Sequence, residues 1–356
     1  MNEALGAICD VMKRMYGRDI TLYDEVFLVK SIDRRLEETG IKTVAAYVET
    51  LSGNNGEAEA LYRSLNITYS EFFRNALTFS LLEQIVLPSL VEAKKRAGRG
   101  EIRIWSSACA AGQEAYSIAI LLDELRAAWG DAVAFRIFAT DISESELTTA
   151  REGVYDFAAV HNVSLKHIRD CFTQRGEHFM ILPRLKELVQ FSTYDLLDER
   201  SVCPPASIYG DFDLVFCGNL LLYYRSDVRR LILDKLWRAL SPEGYFVVGE
   251  AEREIVANNQ GFRAIAPPAA IFQSLRVDSP QLAIPSRSPS FPHALSGVSV
   301  QRSAISRQPR NGRPTGFVPR PVGAYPVGLR PLSHGVKPIS HGASAPVCHL
   351  KLNADC

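Results

Sequence analysis

The stretch EIRIWSSACAAGQEAYSIAILLDEL, residues 101–125, decides the fold. Residues 101–107 form a short apolar run of strand length. Small residues follow through Gly112, and a helical pattern begins at Gln113 and continues to about residue 128. Strand, small-residue turn and helix make the first half of a βαβ unit. Working downstream, the same alternation returns. Residues 134–140 (AFRIFAT) read as a strand before a helix at 144–151. Residues 212–217 (FDLVFC) precede a helix at 227–240, and residues 244–249 (GYFVVG) follow the turn at 241–244. Residues 270–277 (AIFQSLRV) close the series as a late strand. Strands alternating with helices predict an α/β fold with a parallel sheet covered on both faces.

Three regions fall outside this rhythm. Residues 1–85 read as a helical N-terminal domain, with apolar positions three and four apart at Leu5, Ile8 and Met12 and at Val44, Tyr47 and Leu51. Gly40 and Gly53 mark helix ends there. Residues 157–192 carry short strand-like runs, 176–181 and 188–191, which predict a small antiparallel β insert within a domain spanning 86–278. Residues 279–356 hold twelve of the 19 prolines, nine Lys/Arg and a single acid, Asp355. That composition predicts a disordered tail.

The 356 residues balance 40 basic against 40 acidic side chains, so the overall charge does not argue for nucleic acid or a membrane surface. The seven cysteines show no C-x-x-C pair and no zinc-type spacing, so no metal is expected. Buried reduced thiols fit a reducing compartment. No run approaches the roughly 20 apolar residues of a spanning helix, and residues 1–3 open no secretory leader. The reading is a cytoplasmic protein.

Four places carry chemistry. The turn at 106–114 follows a strand and precedes a helix, where small residues let a ligand approach the backbone. It is neither G-x-G-x-x-G nor a Walker loop, which weighs against phosphate binding and against a nicotinamide enzyme. Tight strand–helix packing is the competing reading of that turn. Asp141, at the tip of the second strand, can accept hydrogen bonds from a ribose diol or cap the next helix. Asn219 and Tyr223, in CGNLLLYY at 217–224, can face the same crevice, or belong to a loop cap and the core. Arg74, in SEFFR at 70–74, is either a structural tether or a clamp for a carboxylate.

Together the motifs SEFFR (70–74), WSSACAAGQEAYS (105–117), FATDI (138–142), FDLVFCGN (212–219) and VVGEAE (247–252) resemble the CheR-type chemotaxis receptor methyltransferases, in order, over residues 5–277. The resemblance implies a Rossmann-like S-adenosylmethionine-dependent methyltransferase domain beside a small helical domain. It further implies a monomer acting on cytoplasmic domains of methyl-accepting chemotaxis receptors, with S-adenosylhomocysteine as product. Carried over by position, it implies cofactor contacts at Thr68, Ser70, Arg74, Ala108, Glu114, Asp141, Asp195, Leu196, Asn219 and Leu220. Ser70 stands where the family usually has Thr, Thr68 where it often has Asn, Asp195 where Asn is frequent, and Gly218 where Arg is frequent. Gln113 and Ala115 replace Glu and Pro. Glu250 and Ala251 depart from the family's G-x-S-E stretch.

A glutamate acceptor, with a reference pKa of about 4.3, is already an anionic nucleophile at neutral pH and needs no general base. Arg74 and Tyr223 are the expected orienting residues. The mixed-charge helix at 30–36 and the insert at 157–192 are the expected docking surfaces. Two alternatives remain at this level: methyl transfer to another acceptor, and a non-catalytic sensor that binds the cofactor.

Overall fold

A computed structural model describes residues 3–275 apart from 67, 99, 131, 132, 208 and 260. The tail expected at 279–356 lies outside the described residues. Among the described residues ten strands are formed: β1 Glu101–Ser106, β2 Ala134–Asp141, β3 Val154–Asp156, β4 Phe172–Arg175, β5 His178–Ile181, β6 Val189–Thr193, β7 Phe212–Cys217, β8 Leu240–Val248, β9 Phe262–Ala264 and β10 Ile271–Ser274. Seven build the main sheet in the order β6-β2-β1-β7-β8-β10-β9. The first five of these run parallel, and β10 is antiparallel to both of its neighbours.

β7 is buried along its whole length, as a central parallel strand must be. Its one charge, Asp213, is matched by Lys94 at 2.8 Å and accepts the Arg103 backbone N–H at 2.9 Å. Two apolar clusters cover the sheet. One is built on Ile102, Ile104, Leu214 and Phe216, the other on Trp105, Val215, Phe246 and Val248. From β1 the chain steps outward through β2 to β6, then returns to β7 and β8. The strand order therefore reverses between β1 and β7, and a crevice opens at their carboxyl ends.

The structure departs from the sequence reading in four places. The run at 188–191 is not part of the insert. It is β6, paired parallel to β2 from Ile137↔Val189 to Asp141↔Thr193. A short edge strand has too few residues to show whether its partner is parallel. The insert is the three-stranded sheet β3-β5-β4, closing at Ile181. Strand β9 was not anticipated.

The helical layer also ends earlier than residue 85. Its own core runs from Leu5 to Leu65. The next helix, Ala76–Arg96, turns Phe79, Leu82, Val86, Leu87, Leu90 and Val91 into the sheet's core. Among the described residues it is the one helix long and apolar enough to cross a membrane, but its apolar face is occupied by this packing. Finally, the helix Glu25–Thr39 exposes Arg34 but not Arg35. The Arg35 guanidinium grips Glu57 through two nitrogens, at 3.0 and 2.5 Å, and Tyr47 donates to the same carboxylate at 2.6 Å. Arg35 is therefore committed to the helical core.

Gly112 lets the turn after β1 enter the helix Gln113–Trp129. Its φ of +90° lies in the left-handed region, and an added Cβ would stand 2.9 Å from the Ala150 Cβ. Gly112→Ala is expected to destabilise the protein by about 2–3 kcal/mol, combining a left-handed alanine with overpacking. Urea unfolding should show a lower midpoint with an unchanged slope.

Candidate active site

The crevice at the strand ends holds two adjoining hollows of about 540 and 610 Å³. Ala108, after β1, and Leu220, after β7, line both. Thr68, Asp141, Asp195 and Leu196 line the larger, together with Tyr23 and Tyr224. Ser70, Arg74, Glu114 and Asn219 line the smaller, with Tyr69 and Phe79. The sheet thus presents the carboxyl ends of β1, β2, β6 and β7, and the segment 68–74 lies over them.

Each wall has a local cause. Asp141 accepts the Ala110 N–H and the Ser143 N–H, both at 2.9 Å, one on each oxygen. The helix cap is Ser143, which accepts the Glu146 N–H, so Asp141 is released from the capping role. Each Asp141 oxygen keeps further acceptor capacity for a hydroxyl. Burial pushes its carboxyl up, against these two N–H bonds. Ala110 itself has a φ of +46°, a left-handed strain that the Asp141 contact helps hold.

Glu114 stands in the first turn of the helix Gln113–Trp129, partly buried at the wall of the smaller hollow. It accepts from Ser106 Oγ at 2.6 Å. Burial pushes its pKa up to about 8; the Glu252 charge adds to the shift, while the Ser106 bond and Arg74 oppose it. A Cβ at Gly218 would stand 3.0 Å from the Glu114 carboxylate, so the residue that lacks a side chain here is the one facing it. A neutral acid at the wall of a hollow suits a cationic ligand group, which would ionise it.

Asn219 stands at φ +61°. The sequence reading missed what holds it. The fully buried Glu252 accepts the N–H groups of Gly249 at 2.8 Å, Asn219 at 2.7 Å, Leu221 at 2.6 Å and Leu222 at 3.4 Å. Four N–H donors on one carboxylate weld the loop after β7 to the loop after β8. Gly249 is required beneath, since a Cβ there would lie 2.6 Å from the Asn219 side-chain nitrogen. The signal was the last letter of VVGEAE, an acid at the end of an apolar strand. Glu250 and Ala251, the departures noted there, are exposed.

Arg74 is held loosely. Its Nη1 donates to the Tyr69 carbonyl at 3.4 Å, and the guanidinium lies 5.1 Å from the Tyr69 ring centre. Tyr223 does not join it in either hollow. The Tyr223 ring packs edge-on against Phe27 at 4.9 Å, and its carbonyl accepts the Asp24 N–H at 2.8 Å. The next residue, Tyr224, faces the larger hollow and stacks on Tyr23 at 5.1 Å. The structure therefore brings together Arg74, Glu114 and Asn219 but sets Tyr223 in the seam with the helical layer. Among the described residues no cluster of His, Cys, Asp or Glu could hold a metal.

A parallel sheet reversing between β1 and β7, with carboxylates at the tips of successive strands, defines a nucleoside-binding α/β domain. The comparisons narrow the class. Residues 68–271 match the model of the CheR methyltransferase S-adenosylmethionine-binding domain, and residues 3–65 match the CheR methyltransferase all-alpha domain. The chain belongs to the CheR methyltransferase family. It is 34% identical over 232 residues to chemotaxis protein methyltransferase 1 of Pseudomonas aeruginosa, covering 64% of this chain and 81% of that one. It is 27% identical over 269 residues to the chemotaxis protein methyltransferase of Borreliella burgdorferi, covering 74% and 92%. Among solved structures, magnesium protoporphyrin IX methyltransferase from Synechocystis is similar at a TM-score of 0.29 and 16% identity, covering 63% and 93%. The family boundary between 65 and 68 agrees with the early end of the helical layer.

The raised Glu114 carboxyl has a consequence for stability. Between its ordinary 4.5 and about 8 the folded protein holds a proton that the unfolded chain has released, so this residue's contribution falls as pH rises through that window. Above about 8 it levels off. Glu114→Gln should remove the slope. Urea midpoints measured across the window should move in favour of the glutamine variant as pH rises, and run parallel above it.

Proposed function

We propose that this chain transfers a methyl group from S-adenosylmethionine to glutamate side chains of methyl-accepting chemotaxis receptors, acting as a cytoplasmic monomer. The observation that carries the reading is the division of the crevice. One hollow offers carboxylates and aromatic rings, Asp141, Asp195, Tyr23 and Tyr224, and the other offers Arg74 and Glu114 on one wall. The first suits a ribose and an adenine. The second suits a cationic amino-acid end at Glu114 and an anionic acceptor at Arg74. The relatives' names as chemotaxis protein methyltransferases supply the acceptor.

The bound cofactor supplies an electrophilic methyl on a sulfonium, and the protein supplies alignment. Asp141 and Asp195 fix the nucleoside end. Glu114, ionised by the ligand's cation, holds the amino-acid end. Asn219, set by Glu252, lines the Glu114 side, and Ala108 and Leu220 lie where the two hollows meet. Arg74 orients the acceptor carboxylate. Its guanidinium acts on the Glu114 carboxyl but forms no salt bridge among the described residues, so it is available to an incoming carboxylate. A directional contact is better here than a tight clamp, since over-stabilising the ground-state carboxylate would lower its nucleophilicity.

The direct test is incubation with labelled S-adenosylmethionine and receptor cytoplasmic domains. Label should enter the receptor as a base-labile ester. Base-stable label would point to another acceptor group, and cofactor binding without transfer would point to a sensor.

Two substitutions divide the site. Asp141→Ala should weaken S-adenosylhomocysteine binding by about 1.5–3 kcal/mol in calorimetry, the value of a charge-assisted hydrogen bond. Arg74→Lys keeps the charge and loses the planar fork. Its single-turnover rate at saturating cofactor should fall by about tenfold or more while the denaturation curve stays in place. Equal losses of rate and stability would make Arg74 a tether.

A further inference from the structure

Arg74 has little to aim it on its own side chain, yet the three residues before it are each fastened to the β insert. Glu71 accepts the Asn162 side-chain amide at 3.3 Å. The Phe72 ring, fully buried, stands edge-on to Tyr155 at 4.9 Å and 87° and to Phe172 at 5.5 Å and 73°. The Phe73 ring stacks on His167 at 5.3 Å and 17°. His167 is in turn held by Glu124, its Nε2 3.2 Å from the Glu124 carboxylate on the helix of the main domain. These contacts come from β3, β4, the helix Leu165–Cys171 and the loop before it.

Phe73 also takes a φ of +50°, a conformation that bulky L-residues avoid. Such a residue persists only where its surroundings over-determine it. Here the restraints are the His167 stack, the Phe79 ring at 5.2 Å and a bond from the Phe73 N–H to Ser117 Oγ at 3.0 Å. The direction in which the chain leaves Phe73 sets where Arg74 points. Relaxing Phe73 would swing the guanidinium away from the wall it shares with Glu114 and Asn219.

We infer that His167 is a positioning residue for methyl transfer: by stacking on the strained Phe73 it makes the β insert the support that aims Arg74. This rests on reading Arg74 as the group that orients the acceptor carboxylate. His167 lies outside both hollows, so it touches neither cofactor nor acceptor there. Its effect must pass through Phe73, which distinguishes it from a residue of the cofactor site. Tyr155 is a poorer probe of the same support, because its hydroxyl also donates to the Ala111 carbonyl at 2.7 Å in the cofactor turn.

The experiment is a double-mutant cycle in the full chain, read by single-turnover methyl transfer into receptor cytoplasmic domains at saturating S-adenosylmethionine. His167→Ala should slow transfer by about tenfold, as a small misplacement of an orienting group does. S-adenosylhomocysteine affinity and the melting midpoint should stay close to those of the parent. His167→Phe, which keeps a ring on Phe73, should recover most of the rate. In an Arg74→Lys background His167→Ala should have almost no further effect, because the group it aims has already been lost. An equal loss in both backgrounds, or no loss in the parent, would overturn the inference while leaving the reading of Arg74 in place. A normal rate for Arg74→Lys alone would overturn the reading of Arg74 and the inference with it. Should His167→Ala fail to fold, Asn162→Ala on the exposed side of the same support takes its place in the cycle, with the same outcomes.

Discussion

A single buried carboxylate, Glu252, holds the crevice in its working shape. By accepting N–H groups from two loops that follow neighbouring parallel strands, it fixes Asn219 in a left-handed conformation and closes the backbone from Leu221 to Leu222 over the strand ends. Loops at the carboxyl ends of parallel strands have no ladder of their own to satisfy their donors. Without Glu252, four of them would have to find water in a buried place. Its charge reaches further, since it contributes to the upward shift of Glu114. The two acids thus divide the work. Glu252 is saturated by N–H donors and rigid, while Glu114 has few partners and is poised to change its protonation state.

This division explains why a methyltransferase site can do without a general base. The nucleophile expected of the acceptor is ionised before it arrives, and what remains is placement. Placement here is assembled from outside the site. Asp141 is oriented by the turn after β1, Asn219 by the loop after β8, and Arg74, as inferred above, by the insert that holds Phe73. Each of the three side chains proposed for these roles sits at or beside a residue with a left-handed backbone, at Ala110, Asn219 and Phe73. Strain gathers at such positions because the geometry a ligand needs is seldom the one the chain prefers.

Much of this was legible in the sequence, for identifiable reasons. The strands β1, β2 and β7 are short apolar runs bounded by turn residues, and they read unambiguously. Ala108, Asp141 and Asn219 follow from those strands, because a loop after a parallel strand can go to only one end of the sheet, whereas Asp195 and Leu196, after the misread β6, came only from the family resemblance. What stayed hidden depends on direction or on partners remote in sequence. Tyr223 and Tyr224 are adjacent, and only the backbone twist of the 221–223 turn decides which ring enters the crevice. Glu252 meets N–H groups about thirty residues away, a distance at which no local pattern survives. The first half of the helix Ala76–Arg96 fell inside the helical domain read at 1–85, because periodicity reports that a face is buried but not against what.

The central claim joins fold to function through Glu114: the protein by itself holds it as a neutral acid, and the cofactor's cation ionises it. Calorimetric titration of S-adenosylhomocysteine at pH 7, repeated in buffers of different ionisation enthalpy, measures this directly. The account predicts release of about one proton for each ligand bound, with the release absent in Glu114→Gln. Binding with no proton released by the parent protein, or with release unchanged in the variant, would contradict it.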